Sequence, residues 1–182
     1  LEQSDWVWPI TADDVRALET ALSHCHDLPW HTVSALSFPL GTFAACVAEV
    51  AHALEHGRGI VLLRGLPVER FSVDDLKRIH LGISSHLGTP VYQSVRREMV
   101  SEIRDEGSAA ASRGTLAVRG KEQPFMSSRA RVQTTGPLRF HTDRTDIVGL
   151  LCAAQAQSGG ISQIASATAI HNTMLERQPR LV

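Results

Sequence analysis

Residues 146–156, DIVGLLCAAQA, form an apolar run that opens on charge: His141, Asp143, Arg144 and Asp146 fall within the six positions 141–146. The run is far shorter than the roughly 20 residues a bilayer-spanning helix needs. It is too apolar to be left in water, so it predicts a buried β-strand. A turn, QSGGIS (157–162), follows, then a second extended piece, SQIASAT (162–168), and a helix, ATAIHNTMLERQP (167–179). Nothing returns after Pro179 to pair with these strands before the sequence stops at Val182. Unpaired strand edges are costly and prone to aggregation. The expectation is therefore a sheet that is incomplete in this chain.

The first half carries helical patterning instead. Thr11 precedes ADDVRALETALSHC, with acidic residues in the first turn and Val15, Leu18 and Leu22 at helical spacing, which predicts a capped surface helix. The Pro-broken stretch HDLPWHTVSALSFPLG (26–41) reads as irregular. TFAACVAEVAHALEHGRG predicts a second helix stopped by Gly57 and Gly59, and GIVLLRGLP a short buried strand. Ser72 is a plausible cap for a third helix with Leu76, Ile79 and Ile83 on one face, ending near Gly88. From 90 to 138 the helical period is lost. Short extended pieces, VYQSV and TLAVRG, flank EGSAAASRG, which reads as a loop.

At 182 residues, 43% hydrophobic and 20% charged, the chain is sized for a single domain spanning 1–182. A formal net charge of −1 leaves no electrostatic footprint for nucleic acid or an anionic membrane surface, and neither is expected as a partner. The opening LEQSDWVWPI lacks the basic-then-apolar order of a signal peptide, so a cytoplasmic location is expected. Cys25, Cys46 and Cys152 are odd in number and lack CxxC spacing, which predicts three reduced thiols, with Cys152 a small apolar filler of the 146–156 strand.

In extended backbone, side chains two apart share a face, so His141 and Asp143 are expected to converge while Thr142 and Arg144 point away. An imidazole beside a carboxylate supplies two legs of a facial Fe(II) site, which a second histidine completes, leaving positions open for a chelating co-substrate and dioxygen. The same pair also suits a hydrogen-bonded surface couple. A zinc hydrolase would want an adjacent general base and further histidines at ligand spacing.

The run FHTDRTDIVGLLCAAQAQSGGISQIASATAIHNTMLERQPRLV resembles the core of the taurine dioxygenase and clavaminate synthase-like oxygenases, and GRGIVLLRGLP and LGISSHLG resemble that family's lead-in strand and helix. The resemblance covers roughly residues 35 to 182. It implies an α+β fold, a double-stranded β-helix (jelly roll) flanked by helices, of which this chain holds the N-terminal part. It also implies Fe(II) and 2-oxoglutarate as cofactors, dioxygen as oxidant, and hydroxylation or a related oxidation of a C–H bond in a small organic substrate. His141 and Asp143 match the family's first two iron ligands. Ser162, just after Gly159-Gly160, matches the hydroxyl that helps hold the 2-oxoglutarate carboxylate.

The family's third ligand, a distal histidine, and the arginine that pairs with 2-oxoglutarate are expected beyond Val182, or from a second chain. In this sequence the expectation is half a site. A non-catalytic or scaffold subunit of the same fold is the competing reading. His171 lies among Ile170, Met174 and Leu175 in the last helix and reads as a structural or surface residue. Arg144 either reaches an anionic group of the substrate or pairs with Asp146. Gln93 and Ser94 fall in a region that lines the substrate pocket in similar proteins; the competing reading is a loop packed on the sheet.

Overall fold

The computed structural model describes residues 6–93, 97–104, 115–118, 121–124 and 140–181. They divide into two compact units, Leu1–Leu151 and Cys152–Val182.

The first unit is built on three helices. Helix α1, Ala12–Cys25, starts at a reciprocal cap: the Asp14 amide donates to Thr11 Oγ1 at 3.2 Å, and the Thr11 amide donates to Asp14 Oδ2 at 2.9 Å. Two of the amides that a helix start leaves unpaired are thereby satisfied, a device worth about 1 kcal/mol. Helix α3, Val73–Leu87, repeats it with Ser72 and Asp75. Helix α2, Ala44–His56, instead continues a 3₁₀ turn at Gly41–Phe43 and ends at Gly57, whose amide donates to Ala53 O at 3.1 Å.

Strand β1, Val7–Pro9, pairs in parallel with β2, Leu62–Arg64, in the register Val7↔Leu62, Trp8↔Leu63, Pro9↔Arg64. Helices α1 and α2 form the crossover that parallel pairing requires. A second pair, β3 (Thr115–Val118) and β4 (Lys121–Pro124), is antiparallel. The extended piece expected in TLAVRG is β3, whereas nothing in the sequence pattern had marked Val7–Pro9 as a strand.

The core lies where α1 and α3 meet the irregular stretch after α1. Leu18, Ala21, Leu22 and Cys25 present one face of α1, and Ile79 and Leu81 come from α3. The Pro-broken stretch supplies Val33, Phe38 and Leu40, with Phe43 and Val47 following. Phe38 is fully buried, and its ring lies on the backbone of Gly82 in α3, where an added Cβ would fall 2.3 Å from Cγ. His86 Nε2 donates to the Phe38 carbonyl at 2.8 Å, tying the same loop to the end of α3.

Arg78 is the buried charge of this core. Its Nη1 donates to Cys25 O at 2.8 Å and to Leu28 O at 2.9 Å, closing the carbonyl end of α1. The guanidinium carbon stands 4.3 Å from the centroid of the Trp30 ring, and Nε faces Asp74 Oδ2 at 3.5 Å. A planar cation suits this place because it donates in its plane and stacks on its face.

The predicted strand 146–156 does not form: its backbone is irregular and its residues are exposed, apart from a half-buried Leu151. Cys152 is exposed, not a core filler, and Cys25 is the fully buried thiol. Residues 162–166 likewise carry no strand. The physical reason is common to both segments: no neighbouring strand among the described residues offers them a hydrogen-bonding ladder. The described residues hold two two-stranded sheets, and the jelly roll is not among their elements.

In the second unit, α4 (Ala167–Arg177) starts at Ser166, whose Oγ accepts from the Ala169 amide at 3.2 Å. Its expected apolar stripe stays open, with Ile170 52% and Leu175 46% exposed. The turn at Gly159 and Gly160 has φ of +77° and +68°, a left-handed conformation natural to glycine. Among the described residues no helix is long and apolar enough to cross a membrane.

Candidate metal centre

His141 and Asp143 lie in an irregular segment of the first unit, and both are exposed. Arg144 and Asp146 follow in a bend; they too are exposed and form no ion pair with each other. The alternative in which Arg144 is consumed by Asp146 is thus not realised. Ser162 is exposed and belongs to the second unit. Gln93 is exposed, with its amide donating to Glu98 O at 2.7 Å and Nε2 to Val91 O at 3.0 Å. Ser94 lies outside the described residues.

Among the described residues no three His, Cys, Asp or Glu side chains group closely enough to hold a metal ion. The donor chemistry at His141 and Asp143 nonetheless fits Fe(II) as far as it goes. One imidazole and one carboxylate, next-but-one neighbours on an accessible segment, are two of the three groups of a facial site. His171 is exposed on α4, and His52 and His56 bring their rings to 4.8 Å between centroids, tilted by 57°, on the surface of α2.

The segment that carries the pair touches the helical core at Gly149. An added Cβ there would stand 2.9 Å from His80 Cε1, 3.5 Å from His80 Nε2 and 3.7 Å from Ser84 Oγ. His80 is half-buried on α3, and burial pushes its imidazole below the usual histidine range. Sequence reasoning passed over His80 as one helical histidine among several. No local pattern marks a contact between positions so far apart in the chain. A cleft of about 320 Å³ opens elsewhere on this unit, lined by Trp30, Asp74, Lys77, Arg97 and Glu98, with Lys77 paired to Glu102 at 2.5 Å.

Comparison with known sequences bears on the order of these motifs. The profile of the family described as taurine catabolism dioxygenase TauD, TfdA family matches residues 26–182, a stretch that contains His141, Asp143 and Ser162. The chain belongs to the TauD/TfdA family. FR-33289 synthase of Streptomyces rubellomurinus is 36% identical over 144 residues, 79% of this chain and 39% of that protein. Taurine hydroxylase-like protein SAT17 of Stachybotrys chartarum is 26% identical over 183 residues, 99% of this chain and 46% of that protein. The chain therefore spans under half the length of these curated TauD/TfdA relatives. No solved structure gives a significant match.

Proposed function

We propose that this chain carries part of the active site of an Fe(II)- and 2-oxoglutarate-dependent dioxygenase that oxidises a C–H bond of a small organic substrate. The observation that carries the reading is the family match over residues 26–182, taken with the chemistry of the HxD pair inside it. His141 and Asp143 would hold the metal, His141 through a neutral ring nitrogen and Asp143 through its ionised carboxylate. The Ser162 hydroxyl would donate to a carboxylate of 2-oxoglutarate. Arg144, unpaired by Asp146, is free to meet an anionic group of the substrate, and Gln93 and Ser94 are further substrate contacts in the same reading. The bound metal and co-substrate would supply the oxidative chemistry with dioxygen, while the protein's share is ligand geometry, orientation of substrate and exclusion of water. The name of one relative, a taurine hydroxylase-like protein, is in keeping with hydroxylation as the outcome.

The limited span of the match against both relatives favours one particular form of this proposal. The distal histidine and the arginine would come from further polypeptide, either in the same protein or in a partner chain. The test is anaerobic addition of Fe(II) and 2-oxoglutarate, monitored for the visible charge-transfer band of the chelate. The band is expected, and His141→Ala should abolish it. A spectrum indifferent to 2-oxoglutarate, both for this chain and for one extended by the polypeptide that follows it, would refute the oxygenase reading.

A further inference from the structure

We propose that His80 is the positioning residue for the His141/Asp143 pair, acting through Gly149 to hold their segment against α3; this rests on the metal-binding reading above. Residues 140–150 are exposed and form no helix or strand, so repeating backbone hydrogen bonds do not fix their place. The contact at Gly149 does so by shape. A Cβ at 149 would come within 2.9 Å of the far edge of the His80 ring and 3.7 Å of Ser84 Oγ, so a larger residue there would have to displace the imidazole. The glycine lets the backbone itself rest on the imidazole.

The platform under that contact is rigid. Ser72 and Asp75 cap α3 at its start, its neighbouring residues Ile79 and Leu81 are in the core, and Arg78 ties it to the end of α1. The Ser84 hydroxyl donates to the His80 carbonyl at 2.7 Å and closes the turn that carries the ring. Burial keeps the imidazole neutral at ordinary pH, so it packs as a flat, largely apolar body. Asp143 is six positions from Gly149. A tether at 149 therefore confines the Asp143 Cα to within about 20–22 Å of that contact, and any bend between them shortens that reach.

The test combines backbone ¹⁵N order parameters of the metal-free chain with titration by Co(II), whose visible absorption reports on the ligand set. In the parent chain, residues 147–151 should show order parameters near 0.85, and His80→Ala should lower them toward 0.6 while α1 and α2 stay unchanged. His80→Ala and Gly149→Ala should each weaken Co(II) binding about tenfold, the low end for residues that orient a metal's ligands. The double variant should lose less than the product of the two, because the added methyl takes the place of the missing ring. His80→Phe, which keeps a flat ring and lacks nitrogen, should restore both the order and the affinity. A Co(II) band absent both from this chain and from one extended by further polypeptide would overturn the metal reading and the positioning role with it; the variants are read in whichever of the two binds. A band whose affinity ignores His80→Ala would overturn the positioning role alone. Loss of the band in His80→Phe would overturn it in favour of His80 as a ligand.

Discussion

Replacing Gly82 with alanine sets two effects of opposite sign against each other, and the packing of Phe38 decides between them. In the interior of a helix, alanine is favoured over glycine by about 1 kcal/mol. At this position the new Cβ would lie 2.3, 2.5 and 2.6 Å from Cγ, Cδ1 and Cδ2 of Phe38, where carbon atoms normally keep about 3.5–4.0 Å. The ring has nowhere to go, being fully buried between α1, α3 and its own loop. Overpacking a rigid core costs about 1–3 kcal/mol, and full loss of a buried phenylalanine about 3–5 kcal/mol, which bounds the damage. A Cβ this far inside contact puts the clash at about 2–4 kcal/mol, between those two figures, so subtracting the helical gain leaves Gly82→Ala less stable by roughly 1–3 kcal/mol, or about 2–12 °C in Tm for a chain of this size. Urea unfolding followed by Trp fluorescence measures it. Pairing the change with Phe38→Leu should recover part of the loss that each substitution causes alone. A Gly82→Ala variant as stable as the parent would mean that Phe38 does not lie on α3, and the account of this core would fail.

Arg78→Ala removes both donors to the end of α1 and the cation over Trp30, and should cost about 2–4 kcal/mol in urea unfolding; Arg78→Lys should restore less than half, since an ammonium cannot stack and span two carbonyls together. The three thiols should separate in a timed alkylation read by mass spectrometry. Cys152, exposed, should react first, while burial raises the pKa of both Cys25 and Cys46 and slows them. His80 should make stability depend on pH below neutrality. Its pKa is lowered in the folded state, so the unfolded chain binds more protons. Stability is then full above about pH 6.5 and falls as pH drops toward the folded-state value, and His80→Phe should flatten that slope in thermal melts.

The helices were legible because their signals are local. Thr11 with Asp14, and Ser72 with Asp75, are caps written within four residues, and the apolar spacing of α1 and α3 names the faces that are in fact buried. The core between them was less legible. Phe38, Val33 and Leu40 sit in a stretch broken by Pro29 and Pro39, where no period marks a buried face, yet Phe38 is as buried as any residue in the molecule. Arg78 was invisible for the opposite reason. A charged side chain on an amphipathic helix is expected to face water, and only the folded arrangement shows two open carbonyls and an indole waiting for it.

Residues 140–168 show why strand signals transfer less well than helical ones. A helix closes its hydrogen bonds within its own segment, so α4 forms even though its apolar residues stay exposed. A strand has no such recourse, and its amides and carbonyls need a second segment alongside. Phe140, Ile147, Val148, Leu150, Ile161 and Ile164 are all more than 40% exposed. Burying them would contribute on the order of 10 kcal/mol at about 1.5–3 kcal/mol each, as much as the whole stability of an ordinary domain. The apolar spacing thus encodes a demand for partners whose identity the local sequence does not carry. The charge at the head of the run then has a physical reason. His141, Asp143 and Arg144 stand exposed at the head of that run, where charged and polar side chains keep their access to water.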